Sequence, residues 1–116
     1  MQKTQIKAGP VVPTQITFSL EGHTEQPGYR RVVVLNGKRL AKDFPSLDVR
    51  AEEFAWGYGG TGPHELARAV LAELVGVNFT YNHPEVVHNL VAEVISQLSE
   101  VDTPFAWHGT FTITPS

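Results

Sequence analysis

Four glycines, two aromatic rings, a histidine and an arginine occur together in the stretch WGYGGTGPHELAR, at positions 56–68. Glycine lets the backbone adopt positive φ angles and approach another group closely. The stretch leads into a predicted helix, whose first N–H groups lack partners and whose positive dipole end attracts anions. His64 and Arg68 are four residues apart and share one face of that helix. The pattern therefore predicts a binding site for an anion.

The predicted ligand-binding residues lie in the glycine loop or in the first two turns of the helix: Trp56, Gly57, Tyr58, Gly59, Gly60, Thr61, Gly62, His64 and Arg68. Backbone amides, the Thr61 hydroxyl and Arg68 would hold a phosphate, a nucleotide or a partner's carboxylate. The rings of Trp56 and Tyr58 would stack on a base or a sugar.

A structural interpretation of the same loop stays open. Glycines permit a tight turn, Trp56 and Tyr58 can fill the core, and Thr61 and Pro63 can cap the helix. The loop has neither the Lys-Ser/Thr of a P-loop nor the strand and acidic residue of a dinucleotide-binding fingerprint. A plain helix entry needs only one or two glycines, and this one has four. That excess favours the ligand interpretation.

Residues suited to catalysis are sparse. Glu53 or His64 can serve as a general base beside the loop, but no serine lies in a nucleophile elbow. The chain has no cysteine, which excludes thiolate chemistry and disulfides. His83 and His88 are five residues apart, about 140° around a helix, and do not share a face as metal ligands do. We therefore predict neither a metal site nor a cofactor.

The leading functional hypothesis is a small non-catalytic binding or interaction protein. The alternative is a phosphoester hydrolase or transferase that acts at the glycine loop. A third hypothesis is an inhibitor that binds a host or phage protein through a flat surface. The sequence leaves the biological role and the identity of the ligand open.

The length and composition of the chain are typical of one globular domain. The chain has 116 residues, of which 41% are hydrophobic and 18% charged, enough for one core. We expect a flexible leader at residues 1–13 and a single domain at residues 14–116. No apolar run approaches the ~20 residues that span a bilayer, and the start lacks the apolar segment of a signal peptide. The expected compartment is the cytoplasm, with no membrane contact.

Charge is unevenly distributed. The net charge is −3, yet five basic residues cluster between positions 30 and 42: Arg30, Arg31, Lys38, Arg39 and Lys42. A basic patch can meet an anionic partner, but charged residues also protect the edge of a sheet from aggregation. The net negative charge argues against a nucleic-acid partner.

The strands are predicted from alternation and turn residues. Residues 14–20 (TQITFSL) and 107–114 (WHGTFTIT) alternate between apolar and polar positions, as half-buried strands do. Between them, Asn36-Gly37 suits a type I′ turn and predicts a hairpin from Arg30 to Phe44. Residues 45–62 show no period and are expected to form a long connection, which is often functional.

Two helices complete the prediction. The first begins near Pro63 and ends at Gly76, and the second runs from Asn82, with Glu85 in a capping-box position, to about Ser99. The fold class is α+β: an antiparallel sheet of three N-terminal strands and one C-terminal strand packs on two consecutive helices. Trp56 and Trp107 should lie in or beside the core.

Apolar side chains on both faces of one strand predict assembly. In the run Val32–Leu35 successive residues point to opposite faces, and all four are aliphatic. Helices on one side only would leave part of this run exposed, and such exposed area often marks an oligomer interface. We therefore expect a homodimer.

The stretch FAWGYGGTGPHELARAVLAEL also resembles the signature of an uncharacterised bacterial and phage family, number 6166 among the domains of unknown function. Its pattern is an aromatic residue, W-G-Y-G-G, a small hydroxyl residue, G-P, two free positions and L-A. Trp56 to Pro63 match it throughout, as do Leu66 and Ala67. The preceding segment RVVVLNGKRL resembles the family's strand, and Trp107 lies where a tryptophan is expected. The resemblance supports the predicted fold and the importance of the glycine loop, but it implies no activity. It places His64 at a variable position of the pattern.

Overall fold

The structure, a computed structural model, describes residues 14–114; the predicted leader at residues 1–13 lies outside the described residues. The strands are β1 (Gln15–Glu25), β2 (Arg30–Leu35), β3 (Lys38–Arg39) and β4 (Phe105–Thr112), and the α-helices are α1 (Thr61–Val75), α2 (Val77–Asn82) and α3 (Pro84–Glu93). The predicted α+β class is confirmed. No helix within the described range is long and apolar enough to cross a bilayer.

The four strands form one antiparallel sheet in the order β3-β2-β1-β4. Three strands come from the N-terminal part of the chain and one from its end, as predicted. In the centre of the sheet Leu20 lies opposite Leu35 on one side and Trp107 on the other. Alternate residues of β1, among them Ile16 and Phe18, are buried, because successive side chains point to opposite faces.

The hairpin turn is where the sequence predicts it. Asn36 and Gly37 both have positive φ, 51° and 81°, as a type I′ turn requires. The N–H of Asn36 donates to the Ser19 carbonyl at 3.0 Å, and its Oδ1 accepts from the Ser19 N–H at 2.9 Å. The return strand β3 is shorter than predicted, because Phe44 bridges Val49 instead of continuing along β2.

Strands β1 and β4 differ from their predicted limits. Strand β1 continues past Leu20, where the predicted strand ends, to Glu25, because the added residues pair with β2 as far as Arg30. Strand β4 begins two residues early, at Phe105, opposite Gly22. A Cβ atom at Gly22 would lie 2.3 Å from the Phe105 ring. The glycine therefore makes room for this aromatic side chain inside the sheet.

Helix α1 confirms the first helical prediction. It begins at Thr61, two residues before Pro63, and ends at Gly76, where φ is 101°. A positive φ favours glycine at a helix C-terminus. Leu66, Val70 and Leu71 on its apolar stripe have no exposed surface. The helix therefore packs its stripe fully into the core.

The predicted second helix is wrong in its limits. Asn82 ends α2 instead of capping a helix, and α3 begins at Pro84 after His83 in a non-helical conformation. A residue before proline is disfavoured in helical geometry, so His83-Pro84 separates two helices. Helix α3 ends at Glu93, and a short 3₁₀ helix, Ile95–Gln97, follows. The described part of the chain therefore contains three α-helices where the sequence predicts two.

One apolar core joins the sheet to the helices. Its largest fully buried side chains include Trp56, Phe18 and Phe54. Trp107 is half-buried against this core, so both tryptophans lie where the sequence places them. On the face of β2 that carries Val32 and Val34, Val32 is only 4% exposed and Val34 is half-buried, so the expected exposed area is small. The homodimer stays a prediction.

Candidate functional site

The glycine loop, residues 56–62, is anchored to the protein at its start. The Trp56 side chain has no exposed surface, and its Nε1–H donates to the Thr103 carbonyl at 2.9 Å. The Gly57 N–H donates to the Ile95 carbonyl at 3.0 Å. Trp56 therefore fills the core, as the structural interpretation expected. A ring without exposed area does not fit the predicted stacking on a ligand.

Close packing against backbone atoms accounts for two of the four glycines, Gly57 and Gly62. Gly57 has φ of 86°, and a Cβ atom there would lie 2.2 Å from the Ser99 carbonyl oxygen. At Gly62 a Cβ would lie 2.7 Å from the Glu53 carbonyl oxygen, and at Gly60 2.6 Å from the Tyr58 ring. Gly59 alone among the four has open space around it. The tight corner thus accounts for half of the glycines in the loop.

The remainder of the loop keeps an open face. The backbone N–H groups from Tyr58 to Gly62 donate no hydrogen bond to residues 14–114. Tyr58 is 43% exposed, and Gly60, the N-cap of α1, provides no side-chain cap. These amides are free to bind solvent or a ligand at the start of the helix.

Electrostatics beside the loop do not favour an anion. Arg31 lies close enough to Tyr58 and Glu53 for their charges to act on it, and its guanidinium is hydrogen-bonded to Asp102. This hydrogen bond raises the pKa of Arg31 above its usual range; burial opposes the rise, and the charges of Asp102, Tyr58 and Glu53 add to it. The positive charge at this place is therefore already neutralised by the protein's own carboxylates.

A cleft lies on the side of α1 that carries His64 and Arg68. It measures about 400 Å³ and separates α1 from the 3₁₀ helix Pro45–Leu47, α2 and the start of α3. Its lining residues are Ser46, Leu47, Asp48, His64, Arg68, Thr80, Tyr81, Pro84, Val87 and His88. The structure therefore places two of the predicted site residues, His64 and Arg68, in this cleft.

His64 connects the cleft to the loop. Its Nδ1 lies 2.8 Å from the Gly60 carbonyl oxygen, and because a carbonyl only accepts hydrogen bonds, Nδ1 carries the proton. In the neutral form of the ring, Nε2 then has the lone pair. The ring lies 5.7 Å from that of His88, centroid to centroid, at 30°. Two imidazoles from different helices therefore share the cleft.

Arg68 is a half-buried cation without a partner in the described part of the chain. None of residues 14–114 forms an ion pair or a hydrogen bond with its guanidinium. Asp48 lines the same cleft but lies beyond ion-pair distance. A guanidinium has five donors in a planar fork that matches a carboxylate or a phosphate. The cleft thus offers an unused site for an anion.

Several residues of the cleft are missed by the sequence analysis. His88 was considered there only as a metal ligand paired with His83, whereas it lies beside His64. Tyr81 and Ser46 carry no motif and reach the cleft through helix packing. Glu53, the proposed alternative base, is exposed and does not line the cleft. Among residues 14–114 no three histidines or carboxylates form a group able to hold a metal ion.

Comparison with known proteins gives a family without an assigned function. The model of the family described as "Family of unknown function (DUF6166)" matches residues 20–110. This match covers the glycine loop, all the helices that line the cleft and the sheet except the first five residues of β1 and the last two of β4. No curated protein and no solved structure matches the chain.

Proposed function

The chain belongs to a family of unknown function, DUF6166, and we propose that it is a small non-catalytic protein that binds an anionic ligand. The ligand lies in the cleft between α1 and α3 and carries a phosphate or a carboxylate. The observation that carries this proposal is Arg68, a half-buried residue whose guanidinium pairs with no residue among 14–114.

Arg68 provides the charge and much of the affinity. A partly buried cation loses part of its hydration without a compensating partner, and an anion in the cleft would supply that partner. A hydrogen bond to a charged group contributes roughly 1.5–3 kcal/mol. That range corresponds to roughly ten-fold to a hundred-fold in affinity. Arg68 should therefore dominate binding.

His64 and the glycine loop have supporting roles. The lone pair on Nε2 of His64 accepts a hydrogen bond from a protonated ligand oxygen, such as that of hydrogen phosphate. The open amides of Thr61 and Gly62, with the Thr61 hydroxyl, extend the anion site towards the helix N-terminus. Tyr58 and Gly59 lie on the exposed side of the loop. Trp56 and Gly57 contribute by holding the loop in place.

Calorimetric titration with inorganic phosphate and with adenosine monophosphate tests the proposal. The wild-type chain should bind at least one of them with one-to-one stoichiometry. Arg68→Ala should weaken binding at least ten-fold. Arg39→Ala is the matched control, since Arg39 is exposed on β3 outside the cleft and the substitution removes the same charge.

The Arg39→Ala control distinguishes binding in the cleft from a general electrostatic attraction between the anion and the protein. If Arg39→Ala weakens binding as much as Arg68→Ala, the anion responds to net charge and the cleft is not its site. If the wild-type chain shows no saturable heat with either compound or with acetate, the anion-binding function is wrong.

The alternative function is a phosphoester hydrolase or transferase at the same end of α1. The fixed tautomer of His64 favours it, because the lone pair on Nε2 is available to accept a proton from an attacking water. Turnover of p-nitrophenyl phosphate and of nucleoside phosphates distinguishes this alternative from binding. Activity that is lost in His64→Ala and kept in Glu53→Ala would replace the non-catalytic proposal.

A further inference from the structure

Among residues 14–114, strand β4 forms one edge of the sheet and has a neighbour, β1, on one side only. The Ile113 N–H donates to the Thr14 carbonyl at 2.7 Å. Because the β1–β4 register continues without a bulge, the odd-numbered residues of β4 direct their backbone groups towards β1. The even-numbered residues Ala106, His108, Thr110 and Thr112 therefore direct their N–H and C=O groups away from the sheet.

The outward groups on β4 are free. Within residues 14–114 their N–H and C=O groups make no hydrogen bond, and all four residues are exposed. None of the four side chains is a lysine, an arginine or a carboxylate, and the strand contains no proline. Such residues commonly protect an edge from pairing with another strand. The free edge of β4 lacks this protection.

The opposite edge of the sheet is protected. Strand β3 has only two residues, Lys38 and Arg39, and both are exposed. A short, positively charged edge discourages the addition of another strand. Head-to-tail pairing of β4 with β3 would also extend without limit, whereas pairing of β4 with itself closes after two copies.

We propose that the free edge of β4 pairs antiparallel with β4 of a second copy of this chain, which gives a homodimer with one continuous sheet. Antiparallel pairing of two identical strands about a two-fold axis is self-complementary. With the axis near Gly109, His108 lies opposite Thr110 of the second copy and Ala106 lies opposite its Thr112. No carboxylate, lysine or arginine lies on this seam, so fixed like charges do not oppose the pairing.

This interface differs from the one that the sequence suggests. The aliphatic run of β2 lies inside the sheet, with β1 and β3 on its two sides. The dimer contact proposed here depends on backbone groups at the edge instead of apolar area on a face. It does not involve Arg68 or the cleft, so it is independent of the proposed ligand.

Light scattering coupled to size exclusion tests the dimer. The wild-type chain should have twice the monomer mass of 12.8 kDa at high micromolar concentration. Thr110→Pro removes an outward N–H that β1 does not use, so it should give the monomer and leave the sheet intact. Thr110→Lys, which places a charge on the seam, should do the same without the conformational restriction of proline.

Thr17→Lys is the matched control. Thr17 lies opposite Thr110 on the same face of the sheet, and the two hydroxyls are 2.8 Å apart, but β1 has neighbours on both sides. This variant should remain a dimer. A monomeric wild-type chain, or a Thr110→Lys variant that remains dimeric while folded by circular dichroism, would overturn the proposal.

Amide hydrogen exchange gives a second measurement. The outward amides of His108 and Thr110 should exchange several-fold more slowly as the protein concentration rises. The inward amides of Trp107 and Phe111, which are bonded to β1, should be protected at every concentration. Concentration-independent exchange at His108 and Thr110 would contradict pairing through this edge.

Discussion

The glycine loop and the cleft lie beside the first turns of α1, yet the protein uses their polar groups differently. At the loop, Trp56 and Gly57 donate to carbonyls of the chain segment before β4, and Arg31 is paired with Asp102. In the cleft, Arg68 has no partner among residues 14–114. The glycine loop, which is the more conspicuous feature of the sequence, is thus largely explained by packing. The cleft, which has no sequence motif, contains a cation that can bind a ligand.

The largest expected effect is at Gly57. Gly57→Ala forces a side chain into positive φ and places a Cβ atom 2.2 Å from the Ser99 carbonyl oxygen. Backbone strain and overpacking should together lower the free energy of unfolding by about 3 kcal/mol. Urea denaturation followed by circular dichroism measures this change.

Gly59→Ala is the control for Gly57→Ala. Gly59 has open space around it and no positive φ, so the free energy of unfolding should change by less than about 0.5 kcal/mol. Equal losses at the two positions would mean that the loop does not pack as described.

A smaller loss is expected at Trp56. Trp56→Phe removes the hydrogen bond to Thr103 and leaves a cavity in the core, which should cost about 2 kcal/mol. Trp107→Phe, at a half-buried position, should cost clearly less. Thermal unfolding of the two variants measures this difference. A melting temperature that is nearly unchanged in Trp56→Phe would mean that Trp56 does not have a role in the core.

The ion pair beside the loop should contribute least. Asp102 has a φ of 65°, which asparagine tolerates, so Asp102→Asn removes the charge and keeps the backbone. Because both side chains are partly exposed, the loss should be about 0.5 kcal/mol in dilute buffer and should disappear in 1 M NaCl. A loss that persists at high salt would show that the pair is not screened by solvent.

The fold follows from the sequence wherever local signals agree. Alternation at Ile16, Phe18 and Leu20 predicts β1, and Asn36-Gly37 predicts the hairpin turn. At Pro84 two signals conflict, since the apolar helical period of α3 continues to Leu98 while proline disfavours a helical residue before it. The structure follows the proline at the start of α3, and the prediction of one long helix is therefore wrong.

The site is predicted only in part, because it depends on contacts between distant residues. Loop glycines can be identified in the sequence, but the contact of Gly57 with Ser99 joins residues far apart in the chain. His64 and Arg68 are predicted to share a face, and the cleft contains both. The approach of His88 to His64 depends on how α3 packs on α1, which helical periodicity does not specify.

Solution NMR most directly tests the claim that the anion-binding site lies in the cleft. In a titration of the labelled chain with inorganic phosphate, the account predicts saturable backbone shifts centred on Arg68, His64 and His88, and their loss in Arg68→Ala. Saturable shifts confined to Gly57–Gly60 and unchanged in Arg68→Ala would contradict it, as would the absence of any saturable shift.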